Sequence, residues 1–461
     1  MSALTQPTFA GHSPTRAGDL SIETHGIAPI AEAQRYGSPA RLFTVWFAPQ
    51  VNMTGVFTGA LAIVLGLGFW LGLLAMVIGT ILGSLVVGYL STWGPRTGTG
   101  QVPNSRMAFG GGVVLPAALQ WLGSIAWDAL VGLFGGEALA ALLGIPFWIA
   151  VLIVMGVQAA AGFFGYEVIH RMQAVLTLVL FTTFVVFAVK LVGGHEIITA
   201  PVAQGADLAG AFVLEVTIAF SIAVSWASYA ADFSRYLPAD SSRIRVFGYT
   251  FAGMASAYMF VEGIGIAAAD VVSEHTAEGV RSVMGGGFLG GLALLVIALA
   301  SIGSGVMNDY SGSLALQTIG VRVRRPVSAV IVAVPAFALI LWLHAPGDTS
   351  TRFQDVLLLV SYWIPAFVSI VVIDWLLRIR GRASINPAEE PTDRRDAVAA
   401  VIVFVLAYAA AIPFMNTSLI EGPIAKAWHG ADVAYFVNLF VAALLYGGYR
   451  LLWGRSTASV D

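Results

Sequence analysis

The sequence predicts an all-α integral membrane fold of twelve helices, and three observations predict it. Apolar residues fill 58% of the 461 positions and charged residues only 11%, whereas a water-facing domain carries roughly a quarter charged residues. Apolar stretches of about 20 residues, each long enough for a ~30 Å hydrocarbon core, recur from Arg41 onward. The basic residues between those stretches fall almost entirely on one side. The first observation excludes a soluble enzyme, because so little charge cannot cover a water-facing surface of this size. The high glycine content, 51 residues, points in an apolar chain to close helix packing. Cysteine is absent, which excludes disulfides, thiolate metal sites and cysteine nucleophiles.

Residues 1–40 form a polar tail without the apolar core of a secretory signal. The twelve spans are expected near 42–66, 68–90, 113–134, 146–165, 173–193, 210–231, 244–268, 287–318, 327–344, 353–377, 396–414 and 431–453. A charged loop, 378–395, separates the first ten spans from the last two, and residues 454–461 form a short tail. With the amino terminus in the cytoplasm, 19 basic residues lie in inside segments and four in outside loops (Lys190, Arg281, Arg352 and Lys426), which accounts for all 23. That distribution satisfies the positive-inside rule and places both termini in the cytoplasm of a cell-membrane protein. Arg96, Arg106, Arg171 and Arg235 read as inside-loop anchors and gate contacts. Gly68-xxx-Gly72 and Gly79-xxx-Gly83 in the second span read as close-packing motifs, not nucleotide loops.

Two spans look discontinuous. The first contains Pro49, Gln50 and Asn52 within an apolar run, and a proline there removes an amide donor and clashes with the preceding turn. The sixth carries Ser221 and Ser225-Trp226-Ala227-Ser228-Tyr229 ahead of Asp232. Broken helices at matching places in two five-helix halves are the mark of inverted-repeat transporters, whose substrates bind at the breaks. The halves would be 41–193 and 210–377, together a ten-helix core, with 396–453 supplying two peripheral helices.

Several ordered motifs resemble those of the nucleobase:cation symporter-1 family, in its purine–cytosine permease branch. They are Ile22-Glu23-Thr24-His25-Gly26-Ile27 with Ala31-Glu32-Ala33-Gln34-Arg35, and Arg96-Thr97-Gly98 with Arg106-Met107-Ala108-Phe109-Gly110. Ala126-Trp127-Asp128, Gly135-Gly136-Glu137-Ala138-Leu139, Asp232-Phe233-Ser234-Arg235-Tyr236-Leu237-Pro238 and Asn308-Asp309-Tyr310-Ser311-Gly312 follow in order. The resemblance implies a leucine-transporter-like fold, a five-plus-five inverted repeat with two further helices. It also implies roles for particular residues. Trp127 is similar to the tryptophan on which the flat substrate stacks, and Trp226, with Ser225, to the second aromatic at the sixth-span break. Asn308 resembles the asparagine that bonds the base edge. One turn after Trp127 the family shows Asn or Gln where this chain has Val131. Gln50 and Asn52 are candidates either for substrate contact or for satisfying the broken backbone.

Four acids lie inside spans: Asp128, Glu215, Glu262 and Asp309. An ionised carboxylate in the bilayer is costly, so such residues are functional candidates. Asp128 and Glu215 are the expected proton carriers, while Glu262 and Asp309 are expected nearer the span ends, in solvated or structural roles. Sodium coupling in the family uses a hydroxyl pair in the eighth span; the matching positions are Ile302 and Gly303, flanked by Ser301 and Ser304. A hard cation needs several oxygens, so H+ is expected to be the coupling ion rather than Na+. No cofactor, metal site or nucleic-acid partner is expected; the partners are the lipid bilayer and a nucleobase-like small molecule. No catalytic constellation is visible. The expectation is a secondary active transporter that imports a purine- or cytosine-like heterocycle by proton symport. A sodium-coupled hydantoin, allantoin or uracil carrier is the alternative.

Overall fold

Every expected span coincides with a helix, and the first is broken where its proline sits. The computed structural model describes residues 25–162, 166–272, 276–321, 325–378 and 392–453. Residues 22–24 of the amino-terminal motif, Arg16, Arg322, Arg324, Arg380, Arg382 and Arg455, most of the 378–395 loop and the 454–461 tail lie outside these. The principal helices are α1 (Arg41–Phe47), α2 (Met53–Val64), α3 (Phe69–Ser91), α4 (Val114–Leu143), α5 (Phe147–Gly162), α6 (Tyr166–Gly194) and α7 (Gly205–Val224). They continue as α8 (Arg243–Ala267), α9 (Gly287–Ile319), α10 (Arg325–His344), α11 (Thr349–Leu359), α12 (Ile364–Arg378), α13 (Arg394–Ala411) and α14 (Ala434–Leu452). Among the described residues, β structure amounts to an isolated bridge between Asn416 and Glu421.

Nine of the described helical segments are long and apolar enough to cross a membrane, and the bent α1–α2 pair makes a tenth. At the fourth and ninth expected spans stand α5, with 16 described residues, and α10, which runs 20 residues to His344. Helix α4 runs 30 residues rather than ending near 134. The Ala- and Leu-rich stretch 138–143 continues it until Gly144, whose φ of +66° ends the helix in the left-handed region.

The α1–α2 junction bends by 57°. Pro49 sits in a tight turn over Ala48–Gln50, and Asn52 is extended (φ −145°, ψ 172°). Asn52 then starts α2 as its cap. Its Oδ1 accepts from the Gly55 amide at 3.0 Å, and its Nδ2 donates to the Pro49 carbonyl at 2.6 Å. The second break follows α7, where Ser225–Tyr229 tightens into a 3-10 turn.

A third break, unforeseen in the sequence, divides the tenth span between α11 and α12. Pro365 cannot donate to the carbonyl of residue 361, so the helix interrupts ahead of it. Ser361 O accepts from the Ile364 amide instead, while the Tyr362 carbonyl accepts from Asn438 Nδ2 and the Tyr362 hydroxyl bonds Asp432 on the α14 side.

Glycines set the closest approaches. A Cβ on Gly79 or Gly83 would meet Val216 O at 2.3 Å or Ala223 Cβ at 2.6 Å, which is why α3 lies against α7. A Cβ on Gly59 would fall 2.0 Å from Glu262 O, and one on Gly265 1.8 Å from Val56 O, so α2 and α8 touch backbone to backbone. The outward faces are apolar, as on α6 with exposed Val175, Leu178, Val189 and Val192.

At the end of the bundle that the sequence assigns to the cytoplasm, residues 25–40 lie against the helices. Tyr36 N donates to Tyr236 O at 2.6 Å, Arg35 to Pro95 O at 2.6 Å, and Arg41 pairs with Glu167 at 2.8 Å. Arg235, read from the sequence as an inside-loop anchor and gate contact, ties this segment to α9. It is wholly buried, donating to Gly26 O at 2.7 Å and Tyr310 Oη at 2.9 Å.

Candidate substrate and coupling site

Trp127 lies mid-helix in α4, and three other helices bond to the two turns of α4 around it. The Tyr229 hydroxyl, in the turn after α7, is 3.5 Å from Ser124 Oγ. Asn308 on α9 donates Nδ2 to Asp128 Oδ1 at 3.2 Å. Thr54 of α2 donates to Leu130 O at 3.3 Å, and Ser301 of α9 donates to Val131 O at 2.7 Å. With no water in the bilayer interior, such polar groups must find one another. Their concentration at one depth of α4 marks the polar centre of the molecule.

Asp128 and Asn308 are thus joined across α4 and α9, with Trp127 the residue before Asp128 in α4. Asp128 Oδ2 receives no N–H or O–H donor and faces the carboxyl of Asp309. Asp309 in turn accepts from Gln158 Nε2 at 3.0 Å. This overturns the end-of-span expectation for Asp309, which lies inside α9 and within this group. Two facing carboxyls can hydrogen-bond only if one of them carries a proton, so the pair offers a place to load and release one.

Trp226 is buried, with 5% of its surface exposed. Its Nε1 donates to Tyr258 Oη at 2.9 Å, and its ring meets Trp46 edge-on at 5.7 Å and Tyr229 tilted at 5.3 Å. An indole whose N–H is already used can offer a ligand only its ring. Ser225 Oγ donates to Ile222 O at 2.7 Å, so its proton is spent within its own helix. Asn52 serves the broken backbone with both ends of its amide. Gln50 Nε2, also buried, has no partner and remains a free donor at the break.

Glu215 does not join this group. It is fully buried on α7, ten residues before the turn, where it and Glu262 of α8 approach closely enough for their charges to interact. Glu262 is therefore interior, not solvated at a span end.

Sequence reading missed Gln120, Ser124 and Tyr229. Gln120 is buried and its Nε2 is unpartnered. The signal was present: Gln120, Ser124, Trp127 and Val131 recur at helical spacing along one side of α4. Among the described residues, no three His, Asp or Glu side chains are grouped to hold a metal ion.

Comparison with known proteins fits this geometry. A family model described as a permease for cytosine/purines, uracil, thiamine and allantoin matches residues 29–438. The putative purine-cytosine permease YxlA of Bacillus subtilis is 26% identical over 442 residues, spanning 93% of this chain and 95% of that protein. Purine-cytosine permease fcyB of Emericella nidulans is 26% identical over 453 residues, spanning 93% and 88%. A solved structure of Mhp1, a nucleobase-cation-symport-1 family transporter in a closed conformation with bromovinylhydantoin bound, has the same fold. It aligns with a TM-score of 0.74 at 19% identity, covering 95% of this chain and 98% of that one. The relatives are permeases, and the motifs, the broken helices and the match over 29–438 agree: this chain is a transporter, not an enzyme, and belongs to the nucleobase:cation symporter-1 family.

Proposed function

We propose that the chain imports a nucleobase-like heterocycle, purine or cytosine in type, together with a proton, by alternating access. The observation that carries this reading is the hydrogen bond from Asn308 to Asp128, the residue after Trp127 in α4, in a bundle whose first and sixth spans are interrupted at Ala48–Gln50 and Ser225–Tyr229. A flat ring on Trp127 would stack on an indole, and Asn308 would offer it both a donor and an acceptor. Gln50 and Gln120 supply unpartnered amide donors nearby in sequence to the break and to Trp127. The Asp128–Asp309 pair would carry the coupling proton. When the proton loads, the pair's charge falls from two negatives to one; when it releases, Asn308 is left bonded to a carboxylate, which ties the site's charge to its hydrogen bonds.

Proton coupling is supported over sodium coupling by Ile302 and Gly303, which offer no side-chain oxygen where a hydroxyl pair would be needed. The sorting of basic residues supports a cell-membrane location with both termini in the cytoplasm. The residues 25–40 packed at that end would then be part of its closure.

Uptake of radiolabelled cytosine, adenine, hypoxanthine, uracil or allantoin into cells expressing the chain tests the reading. Accumulation of one of the first three, abolished by a protonophore and unaffected when choline replaces sodium, is the expected result. Sodium-dependent accumulation of uracil or allantoin would replace both substrate and ion. No accumulation of any of the five would remove the substrate class.

A further inference from the structure

The acids of α7 and α8 lie apart from the Asp128–Asn308 group. Glu215 and Glu262 are each 0% exposed. Neither oxygen of Glu215 has a hydrogen-bond partner, and Glu262 Oε1 has none. Glu262 Oε2 accepts from Thr80 Oγ1 of α3 at 3.1 Å. One turn from Glu215, Glu262 and Thr80 on their own helices stand Ala219, Ile266 and Met76, members of one buried apolar cluster. Two carboxylates here would be two uncompensated charges, a cost of several kcal/mol per ion even after relaxation. Among the described residues no cationic side chain is paired with either.

The surrounding groups that titrate are few. Tyr258 lies one turn from Glu262 on the same helix and interacts with it. The second helix half, α2, brings no titratable residue, and α3 brings only Tyr89, far along the helix. On the opposite side of α7 stand Tyr435 and Asp432, the latter accepting from Thr217 through its carbonyl. Asp207, at the start of α7, is paired with His429 at 2.8 Å.

Tyr258 gives this pair a route to the substrate group. Its hydroxyl accepts from Trp226 Nε1 at 2.9 Å and donates to Ile222 O at 3.2 Å, so it grips the last turn of α7 and the aromatic of the break at once. A change in charge or spacing at Glu262 therefore reaches the break through one turn of α8 and one side chain.

We propose that Glu215 and Glu262 form a second proton-binding site, outside the substrate pocket, which Tyr258 couples to the α7 break. A proton suits the geometry better than a metal cation. A hard cation takes six or more oxygens, and here the helix carbonyls of α3, α7 and α8 are used in their own backbone bonds, leaving two carboxyls and one hydroxyl. Proton and substrate binding would then be linked, each favouring the other by the same factor. Tyr258 is a positioning residue in this scheme and touches neither proton nor substrate.

This inference rests on the transport reading only for its functional consequence, so the test has one arm that needs no substrate. Infrared spectra of the full chain in lipid nanodiscs, wild type minus Glu215→Gln/Glu262→Gln, are expected to contain a carboxylic-acid C=O band that titrates away at high pH. Glu215→Gln alone serves if the double variant fails to fold. Superimposable spectra would overturn the proposal. So would stabilisation of the wild type by sodium chloride over choline chloride that the double variant loses, since the site would then hold sodium. In the second arm, cytosine or adenine affinity is measured against pH. The wild type should weaken by roughly 5- to 150-fold as pH rises, the usual span of such coupling. Tyr258→Phe should keep the infrared band yet flatten that dependence; an unchanged dependence in both Tyr258→Phe and the double variant would overturn the coupling. If neither base binds the wild type, the substrate reading fails while the infrared arm still decides the acid pair.

Discussion

Asn308 on α9 donates its side-chain amide to Asp128 on α4, Nδ2 to Oδ1, at 3.2 Å. That bond joins the residue best suited to read a base edge to the one best suited to hold a proton. Replacing Asp128 by Asn removes the charge and keeps the size. Asp128→Asn is expected to retain binding and exchange of labelled base across the membrane but to lose concentrative uptake. Asn308→Ala is expected to lose both, because it removes the amide and leaves Asp128 Oδ1 unpartnered, a cost of about 1–3 kcal/mol. Counterflow and protonophore-sensitive accumulation, measured side by side in proteoliposomes, separate the two; equal loss of both in Asp128→Asn would contradict the assignment.

The aromatic residues should divide by role. Stacking of a base on an aromatic ring contributes about 1–3 kcal/mol, so Trp127→Ala should weaken base affinity by roughly 5- to 150-fold while the protein still reaches the membrane. Tyr229→Phe keeps the ring and removes only the hydroxyl near Ser124 Oγ. It is expected to change which of several bases competes best, with a smaller change in the affinity for any one. Competition panels against one labelled base report both. Unaltered affinity in Trp127→Ala would move the pocket elsewhere.

Gln50 and Asn52 stand two residues apart at the same break and should behave differently. Asn52 caps α2, so Asn52→Ala should lower thermal stability by about 1 kcal/mol or somewhat more, given its second bond to Pro49 O. Gln50 Nε2 has no partner to lose, so Gln50→Ala should leave the melting temperature unchanged and weaken substrate binding. Melting curves with and without substrate distinguish them, and a large stability loss in Gln50→Ala would show that its amide serves the fold.

Much of this was legible in the sequence because the bilayer imposes strong local rules. A proline with two amides inside an apolar run can only be a break, and Pro49, Gln50 and Asn52 made the first one visible. The α11–α12 break escaped because Pro365 stands in a run that is apolar on both sides and has no amide beside it, so 353–377 reads as one span. Trp127 and Asp128 were marked by their own chemistry. Their neighbours Tyr229 and Gln158 were not, since what matters in them is which distant helix they face. Glu262 shows the same limit. Its depth in α8 depends on packing against Gly59 and Thr80, residues about 200 positions away in sequence, and nothing near Glu262 in the chain reveals them.

The last two helices are tied to the core by charges that should be removable only in pairs. Asp374 on α12 bonds Arg378 at 2.6 Å and Arg450 of α14 at 2.7 Å, and Arg450 also reaches Asp396 of α13 at 3.2 Å. Arg378, Asp374, Arg450 and Asp396 are all buried. The two arginines balance the two aspartates. Arg450→Met alone leaves one carboxylate without its cation, and breaking a buried pair from one side costs roughly 3–5 kcal/mol. It should therefore lower the melting temperature in detergent sharply. Adding Asp396→Asn restores neutrality while Tyr449 Oη, now at 2.8 Å from Asp396 Oδ1, can still donate to the amide oxygen. The double variant should recover most of the lost stability, because the remaining Asp374–Arg378 pair is complete. A double variant no more stable than Arg450→Met would show that Arg450 acts through packing of its aliphatic stem and not through charge balance.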